Sequence, residues 1–132
     1  MKPTNSVLIA VDDDIEAIRQ LTVAVRAHYV VRGTADSRRA LDWLEKDKKD
    51  KSVAVIVVDQ MLRCGPGVDL LENARELRPD VRRVLITKYL DVSVLVQGLH
   101  SGAINRMISK PLLHGELQTV LTPDAMRQIS AA

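Results

Sequence analysis

The sequence predicts an α/β domain built on a doubly wound, five-stranded parallel sheet. Three observations carry that prediction. Val53-Ala54-Val55-Ile56-Val57-Val58 is a continuous apolar run, the mark of a strand buried on both faces. Runs of this kind alternate five times with segments whose apolar residues recur at helical spacing, so the order is βα five times over. Four of the five runs end on residues with chemistry to offer: Asp12-Asp13, Asp59, Thr87 and Lys110. In an open parallel sheet, ligands and reacting groups gather beyond the carboxyl ends of the strands. Asp59, a bare carboxylate just before the turn Cys64-Gly65-Pro66-Gly67, stands where a reacting group would.

Composition sets the bounds. A chain of 132 residues is one domain of ordinary size. It has no Phe, one Trp and two Tyr, so its core must be aliphatic. A net charge of +2 is too small to argue for nucleic acid or an anionic membrane surface. No apolar stretch approaches the ~20 residues that span a bilayer. Met1-Lys2-Pro3-Thr4-Asn5-Ser6 leads straight into a strand, with no signal-peptide core. The lone Cys64 excludes an internal disulfide and fits a reducing compartment. A soluble cytoplasmic domain is expected.

Val7 to Val11 is the first strand. Asp13 or Asp14 caps the next helix, where Ile15, Ile18, Leu21 and Val25 form an apolar stripe. Tyr29-Val30-Val31 is a short second strand closed by Gly33. Asp36 or Ser37 caps a second helix, with Ala40, Leu41 and Leu44 inside and Trp43 beside them. The mixed charges from Lys46 to Ser52 read as a solvated loop. After Asp59 and the glycine-rich turn, Leu70, Leu71, Ala74 and Leu77 mark a third helix, which Pro79 stops. Val84 to Thr87 is the fourth strand. Asp91 to His100 is a fourth helix with Val92, Leu95, Val96 and Leu99 facing in; Leu90 and Val94 fall off that stripe and suit a partner surface. Ile104 to Ser109 is a weaker fifth strand, broken by Asn105 and Arg106, and Leu113 to Leu121 is the last helix of the domain. Thr122-Pro123 is an N-cap and N1 pair, so residues 122–132 form a tail that can start a linker helix toward an output domain.

In a parallel sheet the side chains of Asp12, Asp13, Asp59, Thr87 and Lys110 converge on one rim. Crowded carboxylates raise a pKa or demand a cation, and a small set of hard oxygen ligands suits Mg²⁺. A carboxylate nucleophile beside a divalent ion, a lysine and a hydroxyl is a set of parts for phosphoryl transfer.

These residues carry a resemblance. Val11-Asp12-Asp13, Asp59 with Gly67 eight positions later, Ile86-Thr87, Gly102-Ala103 and Ser109-Lys110-Pro111 together resemble the receiver domains of two-component response regulators, over Val7 to Leu121. The resemblance implies the strand order 2-1-3-4-5. It implies that Asp59 accepts a phosphoryl group from a sensor histidine kinase or histidine phosphotransfer protein. Asp13, Asp59 and the Met61 carbonyl would bind Mg²⁺ directly, with Asp12 acting mainly through water. Lys110 would pair with phosphorylated Asp59, and Thr87 would carry the signal to the fourth helix and fifth strand. A homodimer through the fourth helix, fifth strand and fifth helix is a family habit, as is a cis Lys110-Pro111 bond. The stretch around Thr87 is similar to receivers joined to cyclic-dinucleotide phosphodiesterase or transcriptional outputs.

The sequence departs from the family pattern at several positions. Leu62-Arg63 stands where Met-Pro is usual, and Lys88 follows the switch threonine where Ala or Gly is usual. Met107 replaces the switch aromatic, a flexible thioether without a hydroxyl. Met61 and Tyr89 occupy the two positions that tune loss of the phosphoryl group to water. Neither positions water well, which predicts slow self-dephosphorylation. Two other functions are weighed beside the switch: an interaction or dimerisation module that ignores phosphorylation, and an aspartate-nucleophile phosphohydrolase of the haloacid-dehalogenase type. The wording of Asp12-Asp13-Asp14 fits the phosphohydrolase, but nothing acidic follows Lys110 at a strand end. Cys64, His28, His100 and His114 show no ligand or catalytic spacing.

Overall fold

The structure, a computed structural model, describes residues 6–88 and 92–129. In chain order the elements are β1 (Val7–Val11), α1 (Ile15–Val25), β2 (Val30–Thr34), α2 (Ser37–Lys46), β3 (Val53–Asp59), β4 (Met61–Leu62), β5 (Gly65–Pro66), α3 (Gly67–Leu77), β6 (Arg82–Thr87), α4 (Val92–Ser101), β7 (Arg106–Ser109), α5 (His114–Val120) and α6 (Pro123–Arg127). Five strands pair in parallel in the order β2-β1-β3-β6-β7. This is the expected doubly wound order once β4 and β5 are set aside as a two-stranded antiparallel hairpin between β3 and α3. The turn expected at Cys64-Gly65-Pro66-Gly67 overlaps this hairpin.

The continuous apolar strands serve two cores at once. Ile9, Val11, Ile56, Val58 and Leu85 face α2 and α3, where they meet Ala40, Leu44, Leu70, Leu71 and Ala74. Leu8, Ala10, Val55, Val57, Val84 and Ile86 face α1 and α5 on the other side, with Leu21, Val25, Leu117 and Leu121. Successive side chains of a strand point to opposite faces, so a strand covered on both sides has no polar position to spare.

Two apolar stripes run differently from expectation. Ile15 is 80 % exposed, because the inner face of α1 runs through Ala17, Leu21, Ala24 and Val25. On α4, Val96 and Leu99 are more than half exposed instead of buried. The residue that meets the sheet side is Gly98, where an added Cβ would lie 2.7 Å from Ile104 Cγ1. Val96 sits about 200° round the helix from Gly98 and Leu99 about 100°, so a backbone drawn in at the glycine turns both away. The expectations for Tyr89, Leu90 and the side chains of Val92, Val94 and Leu95 lie outside the described residues. Among the described residues no helix is long and apolar enough to cross a membrane.

The run from Lys46 to Ser52 is more than a solvated loop. Asp47, at the end of α2, turns its carboxylate inward to the amides of Ser52 (3.0 Å) and Val53 (2.8 Å), to the Ser52 hydroxyl and to Arg78 Nη1 at 3.1 Å. Arg78 is 2 % exposed, reaches the Leu44 carbonyl, and forks onto Asp80 at 2.9 and 2.8 Å. Burial raises the pKa of Asp47, but the hydrogen bonds from Ser52, Val53 and Arg78 outweigh it and leave a net depression. Asp80 is depressed chiefly by its hydrogen bond from Arg78. A carboxylate with a lowered folded pKa adds stability above its unfolded pKa and loses it as pH falls through the folded value. Melting temperature should therefore hold above roughly pH 4 and fall below it. In Asp47→Asn that acid-side slope should be shallower; an unchanged slope would remove Asp47 from the account.

Candidate functional site

The register of the sheet builds the site. Val11 pairs with Val58, so the next residues, Asp12 and Asp59, end side by side on β1 and β3. The chain leaves β1 toward β2 on one side and returns to β3 on the other, which makes this pair the topological switch point of the sheet. Across β3, Asp59 pairs with Ile86, and Thr87 pairs with Ser109 on β7. The Lys110 amide donates to the Thr87 carbonyl at 2.9 Å, and the Lys110-Pro111 bond is cis.

Lys110 closes the group. Its ammonium lies 2.9 Å from Asp12 Oδ2 and 3.4 Å from Asp59 Oδ2. Asp12, Asp59 and Thr87 are 6 %, 7 % and 4 % exposed, so three polar side chains are drawn under the rim. The other Asp12 oxygen accepts from the Asp14 amide at 2.9 Å, while Asp14 caps α1 through the Glu16 amide. Burial and then the charge of Asp12 push the Asp59 carboxyl above the ordinary carboxylate range; Lys110 and the Met61 amide pull the other way. Burial opposes the Lys110 ammonium, yet Asp12 and Asp59 outweigh it and hold its pKa above the usual lysine value. Lys110 is charged at any physiological pH, and one cation is shared between two carboxylates.

The remaining expected residues stand round this centre. Asp13 is half-buried and accepts from the Arg63 amide at 2.8 Å. Met61, in β4, has an exposed side chain. Met107 is partly buried against the core on the α2–α3 side, paired with Leu85 across the ladder. Lys88 is exposed and lines a cleft with Asp14, Lys110 and Pro111. Tyr89 lies outside the described residues.

Gln60 and Gly67 complete the loop, and the role of Gln60 becomes visible in the structure. Gln60 donates its amide to Ile86, accepts the Gly67 amide on its carbonyl, and accepts the Val68 amide on Oε1, each at 2.9 Å. Its side chain thus caps α3, whose own N-cap residue is Pro66. A Gln next to Asp59 and seven residues before a helix without a capping side chain at its own N-cap was the available signal. Gly67 fits because a Cβ there would collide with the Asp59 carbonyl, 2.9 Å from its carbon and 2.9 Å from Val58 Cγ1.

Residues 7–122 match the family model of the response regulator receiver domain. The chain belongs to that family. The receiver is 34 % identical over 104 residues to the photosynthetic apparatus regulatory protein RegA of Cereibacter sphaeroides, covering 79 % of this chain and 54 % of that protein. It is 31 % identical over 109 residues to the acid tolerance regulatory protein ActR of Rhizobium meliloti, covering 83 % and 54 %. The chain thus spans about half the length of these curated relatives. Among solved structures it superposes on a Burkholderia pseudomallei response regulator with a phosphorylated aspartic acid and calcium (TM-score 0.76, 24 % identity, 92 % of this chain and 69 % of that one). It also superposes on the signal receiver domain of an HD domain-containing protein from Pseudomonas fluorescens (TM-score 0.80, 22 % identity, 96 % and 90 %). At these identities the structural likeness speaks for the fold. The family is a signalling one, which turns the reading away from a haloacid-dehalogenase phosphohydrolase.

The donor chemistry of the receiver site fits the divalent ion its family binds. Asp12, Asp13 and Asp59 set three carboxylates against the single Lys110 ammonium, leaving two negative charges at a half-buried rim. Hard oxygen donors of that charge suit Mg²⁺. Among the described residues no three acidic, cysteine or histidine side chains converge as a ligand group.

Proposed function

We propose that the protein is a phosphorylatable switch in which Asp59 accepts a phosphoryl group from a phosphohistidine on a sensor kinase or phosphotransfer protein. The observation that carries this is Lys110 bridging Asp12 and Asp59 at the switch point of the sheet. An Asp59 oxygen attacks phosphorus in line, the phosphorus–nitrogen bond breaks, and the imidazole leaves with its electron pair and takes a proton. Asp13, Asp59 and the Met61 carbonyl would hold Mg²⁺ with Asp12 at one remove, and the ion supplies charge neutralisation at the transferring oxygens. Lys110 already sits within ion-pair reach of the acceptor and stabilises the charge that arrives on it. Thr87 donates its hydroxyl to a phosphoryl oxygen, and Met107 follows its movement toward the α4–β7–α5 face. That face exposes Val96, Leu99 and Leu113 and would meet a second copy or an output partner.

Intact mass after incubation with Mg²⁺ and a small-molecule phosphodonor tests the reading. Wild type should gain one phosphoryl group and Asp59→Asn none. With Met61 and Tyr89 at the tuning positions, the adduct should outlast a chase of many minutes. No adduct on folded wild type, or an adduct that survives Asp59→Asn, would overturn the assignment of Asp59.

A further inference from the structure

A second polar cleft, of about 270 Å³, opens at the amino-terminal ends of the strands, beneath α6. Its walls come from distant parts of the chain: Tyr29 before β2, Lys51 before β3, Asp80 and Arg82 at the start of β6, and Met126 and Arg127 on α6. Tyr29 is 3 % exposed, and its buried phenolic oxygen has no hydrogen-bond partner among the described residues. Buried hydroxyls are nearly always satisfied, so this one calls for an explanation.

The neighbours define the missing partner. Lys and Arg side chains carry donors only, so an O–H that is to donate needs an acceptor these side chains cannot supply. Arg82 spends Nε on the Met126 carbonyl at 2.9 Å, and its terminal nitrogens make no hydrogen bond among the described residues. Lys51 Nζ forms no ion pair there either; its field falls on Asp80. Asp80, the one acid in the wall, is already held by both arms of Arg78. Arg127 pairs with Asp124 on the open surface, an exposed pair of little strength. The positive charge of Arg127 reaches the Tyr29 hydroxyl, while burial pushes that phenol up to about 12, so it remains a donor. With Asp80 engaged by Arg78, and with Lys51, Arg82 and Arg127 lining the same cleft, the acceptor that suits this setting is an anion.

We propose that this cleft binds a small oxyanion, a phosphate or a carboxylate, through the Tyr29 hydroxyl and the cationic side chains of Lys51, Arg82 and Arg127. The volume sits just below the roughly 300–1,000 Å³ of ordinary small-molecule sites, which suits a compact ligand. Because Tyr29, Arg82 and Arg127 belong to three different segments, a bound anion ties α6 to the sheet. It therefore steadies the direction in which the chain leaves the domain. The site lies at the opposite end of the strands from Asp59 and does not depend on that residue's role.

The test is a two-dimensional amide NMR titration of the full chain without Mg²⁺, at constant ionic strength, with inorganic phosphate and separately with citrate. Saturable shifts confined to Val30, Ala54, Arg82 and the α6 amides are expected with at least one anion, and the tighter one identifies the source. Tyr29→Phe keeps the ring and should weaken binding about tenfold, the worth of a charge-assisted hydrogen bond. Arg127→Gln, on an exposed side chain, should weaken it without disturbing the fold. Shifts that fail to saturate with either anion, or that are the same in Tyr29→Phe, would overturn the proposal.

Discussion

Gly67→Ala should destabilise the domain by about 1–3 kcal/mol, the usual cost of forcing atoms into a packed interior, and should stop Asp59 from being phosphorylated. The added methyl meets backbone, the Asp59 carbonyl, and also Val58 in the centre of the sheet. Neither can yield as the end of a long side chain would. Relief must come from moving the start of α3 or the end of β3, and the second moves Asp59, the proposed acceptor. Gln60 makes the loop stiff, since its amide, carbonyl and side chain are all engaged within the same few residues. A small displacement of a nucleophile costs far more in rate than in stability. Gly115→Ala is the control: that glycine is in α5 with nothing within 4 Å of a Cβ, so alanine there should stabilise by about 0.5–1 kcal/mol. Denaturant unfolding and the mass assay read both effects. A Gly67→Ala protein with wild-type stability and a full adduct would show that β3 and α3 are not clamped together.

Arg83→Met should cost about 3–5 kcal/mol, comparable to breaking a buried charged pair. Arg83 is fully buried on β6, and its guanidinium is solvated by main chain alone. Nε donates to the Ala103 carbonyl at 3.1 Å, Nη2 to Gly102 at 3.1 Å, and Nη1 to Val81 at 2.9 Å. The Pro79 carbonyl stands at 3.4 Å from Nη1. Desolvation and the charges of Arg75 and Arg82 lower its pKa, Asp80 opposing, but a guanidinium starts so high that it stays protonated. Removing it leaves three or four carbonyls without donors in a dry place. Those carbonyls belong to the turn that ends α4 and to the entry of β6, so Arg83 pins the C-terminal end of α4 to the sheet. Asn105 adds to the clamp by exchanging hydrogen bonds with the Arg83 backbone, each at 2.8 Å. Arg83→Lys should fail as well, because one ammonium cannot reach the same fork of acceptors. An unfolding midpoint near wild type in Arg83→Met would mean that water replaces the guanidinium, and α4 would then need another anchor.

The central strands were legible because a strand covered on both faces is apolar along nearly its whole length, and Val53 to Val58 leaves no other reading. Asp12, Asp59, Thr87 and Lys110 were legible for the same reason, as polar residues that end apolar runs. Helix faces were less so. Ile15 and Val96 look inward by apolarity, but what faces the sheet depends on where the helix axis comes closest, and at α4 that is a glycine with no hydropathy signal. Arg78, Arg83 and Asp47 were invisible as core residues. Charged side chains default to the surface in any sequence argument, and here they are buried because backbone carbonyls and each other supply their partners.

By itself, then, the sequence determined the class of sheet, the alternation of elements and the row of polar residues at the strand ends, since these follow from local period and from which residues interrupt it. The tertiary structure alone decided which of those residues touch. Lys110 reaches Asp12 across 98 positions of sequence, a contact fixed by the register of strands whose spacing along the chain carries no distance in space. The same holds for the Tyr29 cleft, assembled from the second strand's approach, the sixth strand and the last helix. Contacts between elements are set by packing three-dimensional surfaces, and a linear pattern records only the surfaces.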